Sequence, residues 1–177
     1  MSNFDRLAYN KAGQMFTAAN VAAKSVVAVS TTATGVILYN PVGSNKQLVI
    51  VDASWAWTTV PGAVHNIGMA IMAPNITAPT GLTAIGSGVL AANGTGNAGN
   101  AVARAYDAAT LPAAPVMQRI SFGAAWGTSV GVSPHALIDY IEGALIVQPG
   151  GALAFAAVTT TAVGLGSVTW VEIPVNQ

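Results

Sequence analysis

Between residues 48 and 59 the side chains alternate. Val49, Val51, Ala53, Trp55 and Trp57 fall on one side of an extended chain, and Asp52, Ser54, Ala56 and Thr58 on the other. A period of two belongs to a half-buried β-strand and not to a helix. Trp55 and Trp57 on the apolar side fit a core, and one of the two fits a subunit interface as well. Ile50 is the exception, a large apolar residue on the polar side. After Val60-Pro61-Gly62-Ala63, with Pro and Gly where a type II turn places them, Ile67, Met69 and Ile71 alternate with Gly68 and Ala70. The two runs predict a β-hairpin, with a bulge or odd-length loop near Gly62 that keeps the tryptophans on the side of Ile67 and Met69.

Short β-branched runs at 26–30 and 36–40, an apolar run at 120–126, and a C-terminal series at 137–148, 153–160 and 167–175 extend the pattern. The last three read as a meander turning at Pro149-Gly150-Gly151. Many short strands, Gly/Pro turns and no long amphipathic helix predict an all-β chain. The expected form is an antiparallel β-sandwich, a jelly roll of about eight strands. The length fits one domain, placed at 25–177, with a loop excursion near 91–115 where Ala, Asn and Gly dominate and Pro112 and Pro115 follow. Residues 1–24 read as an extended N-terminal arm, in which 18–24 has room for a helical turn or two. Phe4, Tyr9 and Phe16 are its candidate assembly contacts.

Six Lys+Arg and six Asp+Glu make 7% of 177 residues charged, against about 25% in ordinary soluble domains. Net charge zero and a pI near 6.7 provide no basic field for a phosphate backbone, so no nucleic-acid partner is expected. So few charges give little repulsion between copies, which predicts a surface covered by other protein and a homo-oligomer, with a trimer preferred. Without cysteine there is no disulfide and no thiolate chemistry. The uncharged stretch 143–171 is long enough to span a bilayer. Its Thr, Ser and Gly content, and the lack of any Lys or Arg after Arg119, argue against a membrane span. The N-terminal residues pair an acid with a base and lack an apolar run, so no secretory signal is read there.

Tyr39-Asn40-Pro41-Val42-Gly43-Ser44-Asn45-Lys46, leading into the strand at Leu48, resembles a segment of jelly-roll structural proteins of tailed bacteriophages. The same holds for Glu142-Gly143-Ala144-Leu145-Ile146-Val147-Gln148-Pro149-Gly150-Gly151-Ala152-Leu153 and for Val168-Thr169-Trp170-Val171-Glu172-Ile173-Pro174. These are similar to capsid cement or decoration proteins, and cover about a third of the chain. The resemblance implies a jelly-roll subunit, usually trimeric and sometimes dimeric, and the N-terminal residues agree with synthesis in the host cytoplasm. The subunit would sit on the outer surface of the head and bridge copies of the major capsid protein. It implies no catalytic, cofactor or metal residue. The alternative is a receptor- or glycan-binding module of a phage tail or fibre, and a small β-fold enzyme ranks third.

Chemical motifs are present only in part. Gly94-Thr95-Gly96-Asn97-Ala98-Gly99 matches the dinucleotide fingerprint, but it lacks the flanking strand and helix and an acid about 20 residues on. Ser133, His135 and Asp139 suggest a hydrolase, yet on one strand His135 and Asp139 lie about 13 Å apart. Asp139 and Glu142 point to opposite faces of a strand, a poor pair for glycoside hydrolysis. His65 and His135 are the only imidazoles, too few for a transition-metal site without distant carboxylates or a symmetry axis. Asn75-Ile76-Thr77 and Asn93-Gly94-Thr95 have the form of glycosylation sequons and read as loop residues. Trp55 and Trp57 could stack on sugars but fit a core better. Asp52, Asp139 and Glu142 are expected to be solvated or paired with Lys46, Arg104 or Arg119, and the chain is expected not to be an enzyme.

Overall fold

The computed structural model describes residues 5–59, 65–92, 99–124, 136–158 and 160–175. A short helix, α1 (Arg6–Lys11), is capped by the Asp5 carboxylate, which accepts from the Ala8 N–H at 3.0 Å. Thirteen strands follow among the described residues: β1 (Met15–Ala19), β2 (Lys24–Val26), β3 (Thr32–Tyr39), β4 (Lys46–Trp57), β5 (His65–Met72), β6 (Thr80–Ala84) and β7 (Leu90–Ala91), then β8 (Arg104–Thr110), β9 (Val116–Ala124), β10 (Ala136–Tyr140), β11 (Ile146–Val147), β12 (Ala152–Ala157) and β13 (Ala162–Pro174). They form two sheets with antiparallel strand pairing. One runs β10-β4-β13-β1-β7, with β11 also on β4 and β2 on β13; the other runs β6-β8-β3-β12-β5-β9.

The sheets pack face to face as a β-sandwich, as the alternating runs predict. Phe16, Ala53, Trp55, Trp57, Val168 and Trp170 of the first sheet meet Val36, Leu38, Ile67, Met69, Phe122, Leu153 and Phe155 of the second in one core. Trp55 lies 6.3 Å from the Phe155 ring and edge-on to Trp57 at 6.4 Å. It packs directly against β13, where a Cβ on Gly164 would come within 2.5 Å of its ring. Strand β12 is buried along its whole length. Its outward side is covered by a second apolar cluster that includes Tyr39, Met72, Leu111 and Ala154, which explains its unbroken apolar sequence.

The Ile50 exception is a β-bulge. Thr169 pairs with Asp52 and Trp170 with Ile50, so Val51 is the extra residue of β4. A bulge moves the alternation on by one residue. Leu48 and Ile50 therefore face the core before it, and Ala53, Trp55 and Trp57 after it. Val51 turns to the outer face against Met15 and Val171.

Several expectations need correction. Strands β4 and β5 do not form a hairpin: they lie in opposite sheets, and Trp55 and Met69 meet across the sandwich. The Gly62 turn lies outside the described residues. The C-terminal meander also fails, because β10, β11 and β13 belong to the first sheet and β12 to the second. The chain crosses from one sheet to the other in eight of the twelve connections between these strands, and the sandwich has more strands than the eight expected. The excursion near 91–115 contains β8, held between β6 and β3 with Ala105 and Ala109 buried. The expected arm 1–24 is in large part sandwich. Its residues 15–19 form β1, paired with β13 and β7, and residues 18–24 make no helix but lead into β2. Phe16, 1% exposed, is core rather than an assembly contact, with its ring 6.1 Å from Trp170.

Candidate functional site: a sheet face with few free charges

All twelve charged side chains lie in described residues, and four ion pairs within the chain take up eight of them. Arg6 pairs with Asp52 at 3.2 Å, Lys24 with Asp107 at 2.9 Å, Lys46 with Glu172 at 3.1 Å, and Arg119 with Asp139 at 2.7 Å. Asp5 caps α1. The Arg119–Asp139 pair joins β9 to β10, the strands at neighbouring edges of the two sheets. The hydrogen-bonded Arg119 guanidinium holds the Asp139 carboxyl below its usual range. Asp139 is therefore paired with one of the cations expected for it, whereas Asp52 pairs with Arg6.

The outer face of the first sheet follows from the strand parity that buries the tryptophans. Opposite the core, β4 presents Asp52, Ser54 and Ala56, and β13 presents Leu165, Ser167 and Thr169. Thr17 and Ala19 of β1 adjoin them. The Ser54 and Ser167 hydroxyls share a hydrogen bond of 2.7 Å across this face. Strand β10 adds Ile138 and Tyr140, 57% and 61% exposed, and β7 adds Leu90. The Arg6 guanidinium lies 5.3 Å from the centroid of the Tyr140 ring while pairing with Asp52. Of the strand residues named on this face only Asp52 is charged. The remaining part of the face is closed by Tyr9, which packs with Ile173 and Ala92 on Met15, Val51 and Val171.

Of the other candidates, Phe4, Ser133, His135 and residues 93–98 of the glycine motif lie outside the described residues. Trp55 and Trp57 are 0% and 2% exposed, so neither offers a surface for a sugar ring. His65 is buried beside the Thr160 hydroxyl. Among the described residues no three His, Asp or Glu side chains group as metal ligands.

Sequence reasoning missed the buried polar residues. Asn40 is fully buried; its Nδ2 donates to the Lys46 carbonyl at 2.8 Å and the Val147 carbonyl at 3.0 Å, while Ser44 donates to its Oδ1 at 2.7 Å. Glu172, 1% exposed, accepts from the Val102 and Ala103 N–H groups at 3.0 Å and lies beside Lys46. The signal for Glu172 was available: it shares strand parity with Val168 and Trp170. These contacts draw the segments around Asn40, Val147 and Glu172 into one corner of the sandwich. Compared with protein-family models, curated proteins and solved structures, the chain matches none.

Proposed function

We propose that the protein is a non-enzymatic structural component of a tailed-phage virion. Its role is that of a capsid cement or decoration protein on the outer surface of the head. The observation that carries this reading is the distribution of charge. Internal pairing takes up eight of twelve ionic side chains, and the outer face of the first sheet offers small hydroxyl and aliphatic groups rimmed by Ile138, Tyr140 and Leu90. Such a face can be covered by protein without desolvating an unpaired ion, and Tyr and Arg are residue types enriched at interfaces. The three segments that resemble phage structural proteins also lend support, since they pack together around Asn40 and Glu172. In this role copies hold one another and the major capsid protein through uncharged β surfaces, and a trimer is the preferred assembly.

Light scattering at micromolar concentration tests the self-association. The expected mass is a multiple of 17.7 kDa, preferably three. Ile138→Asp should reduce the assembly to monomers without unfolding the sandwich, because Ile138 is mostly exposed within the single chain. A monomeric parent protein, or an assembly indifferent to Ile138→Asp and Leu165→Asp together, would contradict the proposal.

A further inference from the structure

At one end of the sandwich an amine and a carboxamide converge on a single carboxylate. Asp107 Oδ1 accepts from Asn20 Nδ2 at 2.6 Å, and Asp107 Oδ2 lies 2.9 Å from Lys24 Nζ. Asn20 and Asp107 are 6% and 7% exposed. Asn20 continues the β1 pairing with β13 by one residue, its N–H donating to the Gly166 carbonyl at 3.0 Å. Gly166 N–H returns a bond of 3.1 Å to the side-chain Oδ1. Lys24 opens β2 on the same strand, opposite Gly164. Asp107 comes from β8 of the other sheet. Gly35, with φ 101° where β3 shifts register against β8, accepts from Asn20 Nδ2 at 3.2 Å.

An ion pair at a sandwich rim needs only the lysine and the aspartate. Here a buried carboxamide is fixed as well, with its oxygen on a backbone N–H and its nitrogen on the same carboxylate that holds the amine. Aminolysis of an amide requires those three provisions: a nucleophilic amine, a donor that stabilises the carbonyl oxygen as it gains charge, and a proton carrier touching both amine and leaving nitrogen.

We propose that this cluster is a self-processing site that joins Lys24 Nζ to Asn20 Cγ in an isopeptide bond. Asp107 Oδ2 takes a proton from Nζ, and the freed electron pair attacks Asn20 Cγ. The carbonyl π pair moves to Oδ1, which the Gly166 N–H holds. As the pair returns, the bond from Cγ to Nδ2 breaks with its electrons going to nitrogen. Asp107 protonates that nitrogen, which leaves as ammonia, and the new amide nitrogen sheds its remaining extra proton to the departing ammonia. Asp107 ends as the carboxylate it began as, and nothing is oxidised or reduced. The product is a covalent ring across residues 20–24 that fixes β1 and β2 on β13. This inference is independent of the virion reading.

The intact mass of the full-length folded protein, kept at neutral pH, tests it. The expected value is below the sequence mass by one molecule of ammonia, apart from any removal of Met1. Trypsin should fail to cut after Lys24, so that residues 12–46 appear as one peptide in place of 12–24. Fragmentation of that peptide should give no backbone ions between positions 20 and 24. Lys24→Arg and Asp107→Asn should each restore the full sequence mass. A parent protein that stays at the full mass after prolonged incubation overturns the proposal. Ammonia loss with Lys24 still cleaved, the mark of a succinimide at Asn20, also overturns it. So does loss of one water with a link from Lys24 to Asp107.

Discussion

Replacing Glu172 by Gln keeps the shape of a buried side chain and removes its charge. Four donors converge on the carboxylate: the N–H groups of Val102 and Ala103 at 3.0 Å, Lys46 Nζ at 3.1 Å and the Trp170 indole at 3.4 Å. A Gln has one acceptor oxygen, so its amide group must face at least one of these donors. A backbone N–H left unsatisfied in the interior costs about 1–3 kcal/mol, and hydrogen bonds to a charged acceptor are stronger than those to a neutral one. Together these give about 3 kcal/mol for Glu172→Gln, a melting temperature lower by about 6–12 °C in a domain of this size. Lys46→Met is milder. The Lys46 side chain is 30% exposed, so the pair is partly screened, and its removal leaves three donors on the carboxylate. About 1.5 kcal/mol is expected, the lower end for a hydrogen bond to a charged group, or about 3–6 °C. Urea denaturation and calorimetry of both variants would decide. If Lys46→Met costs as much as Glu172→Gln, the ion pair rather than the backbone donors holds residues 100–103 to β13, and the reasoning is wrong.

Phe16→Ala should lose about 3–5 kcal/mol, because Phe16 is core, and truncation through Ala19 should prevent folding; a truncated chain with native circular dichroism would return the segment to the status of an arm. Gly164→Ala should be poorly tolerated, since its Cβ would lie 2.3 Å from the Ala56 carbonyl oxygen and against Trp55; a melting temperature within about 2 °C of the parent, under about 1 kcal/mol, would argue against that packing. Asp139 has a folded pKa depressed by Arg119. Its contribution is thus present above the ordinary carboxylate pKa, about 4, and is lost as pH falls through the lower folded value. With Arg119 42% exposed, the effect is under about 1 kcal/mol. Asp139→Asn should flatten the stability profile in that acid range, and a variant as acid-sensitive as the parent would contradict the assignment.

Strand identity was legible in the sequence where alternation was strong. Trp55, Trp57, Ile67 and Met69 were read as buried, and they are. Sheet membership was not legible, because alternation reports which side of a strand faces the core and not which sheet it joins. A connection that crosses the sandwich has the same length and turn residues as a hairpin loop, and so β4 with β5, and β12 with β13, were misassigned. The arm failed for a different reason. Met15–Ala19 is too short to show a period, and its strand character comes from β13 alongside. Strand β8 was hidden by alanines that read as loop until packed. Asn20 and Asp107, unlike Glu172, gave no pattern along the chain, since Asn20 meets Asp107 87 residues away and Gly166 146 residues away.

Electron cryomicroscopy and quantitative mass spectrometry of assembled phage particles would give the position and copy number of this chain and so decide whether it is a head protein. Many symmetry-related copies are expected on the outer surface of the head, with the sheet face of Ser54, Ser167 and Ile138 covered by a sister copy or by the major capsid protein. A few copies confined to the tail tip would favour the receptor-binding alternative, and absence from the particle would contradict both.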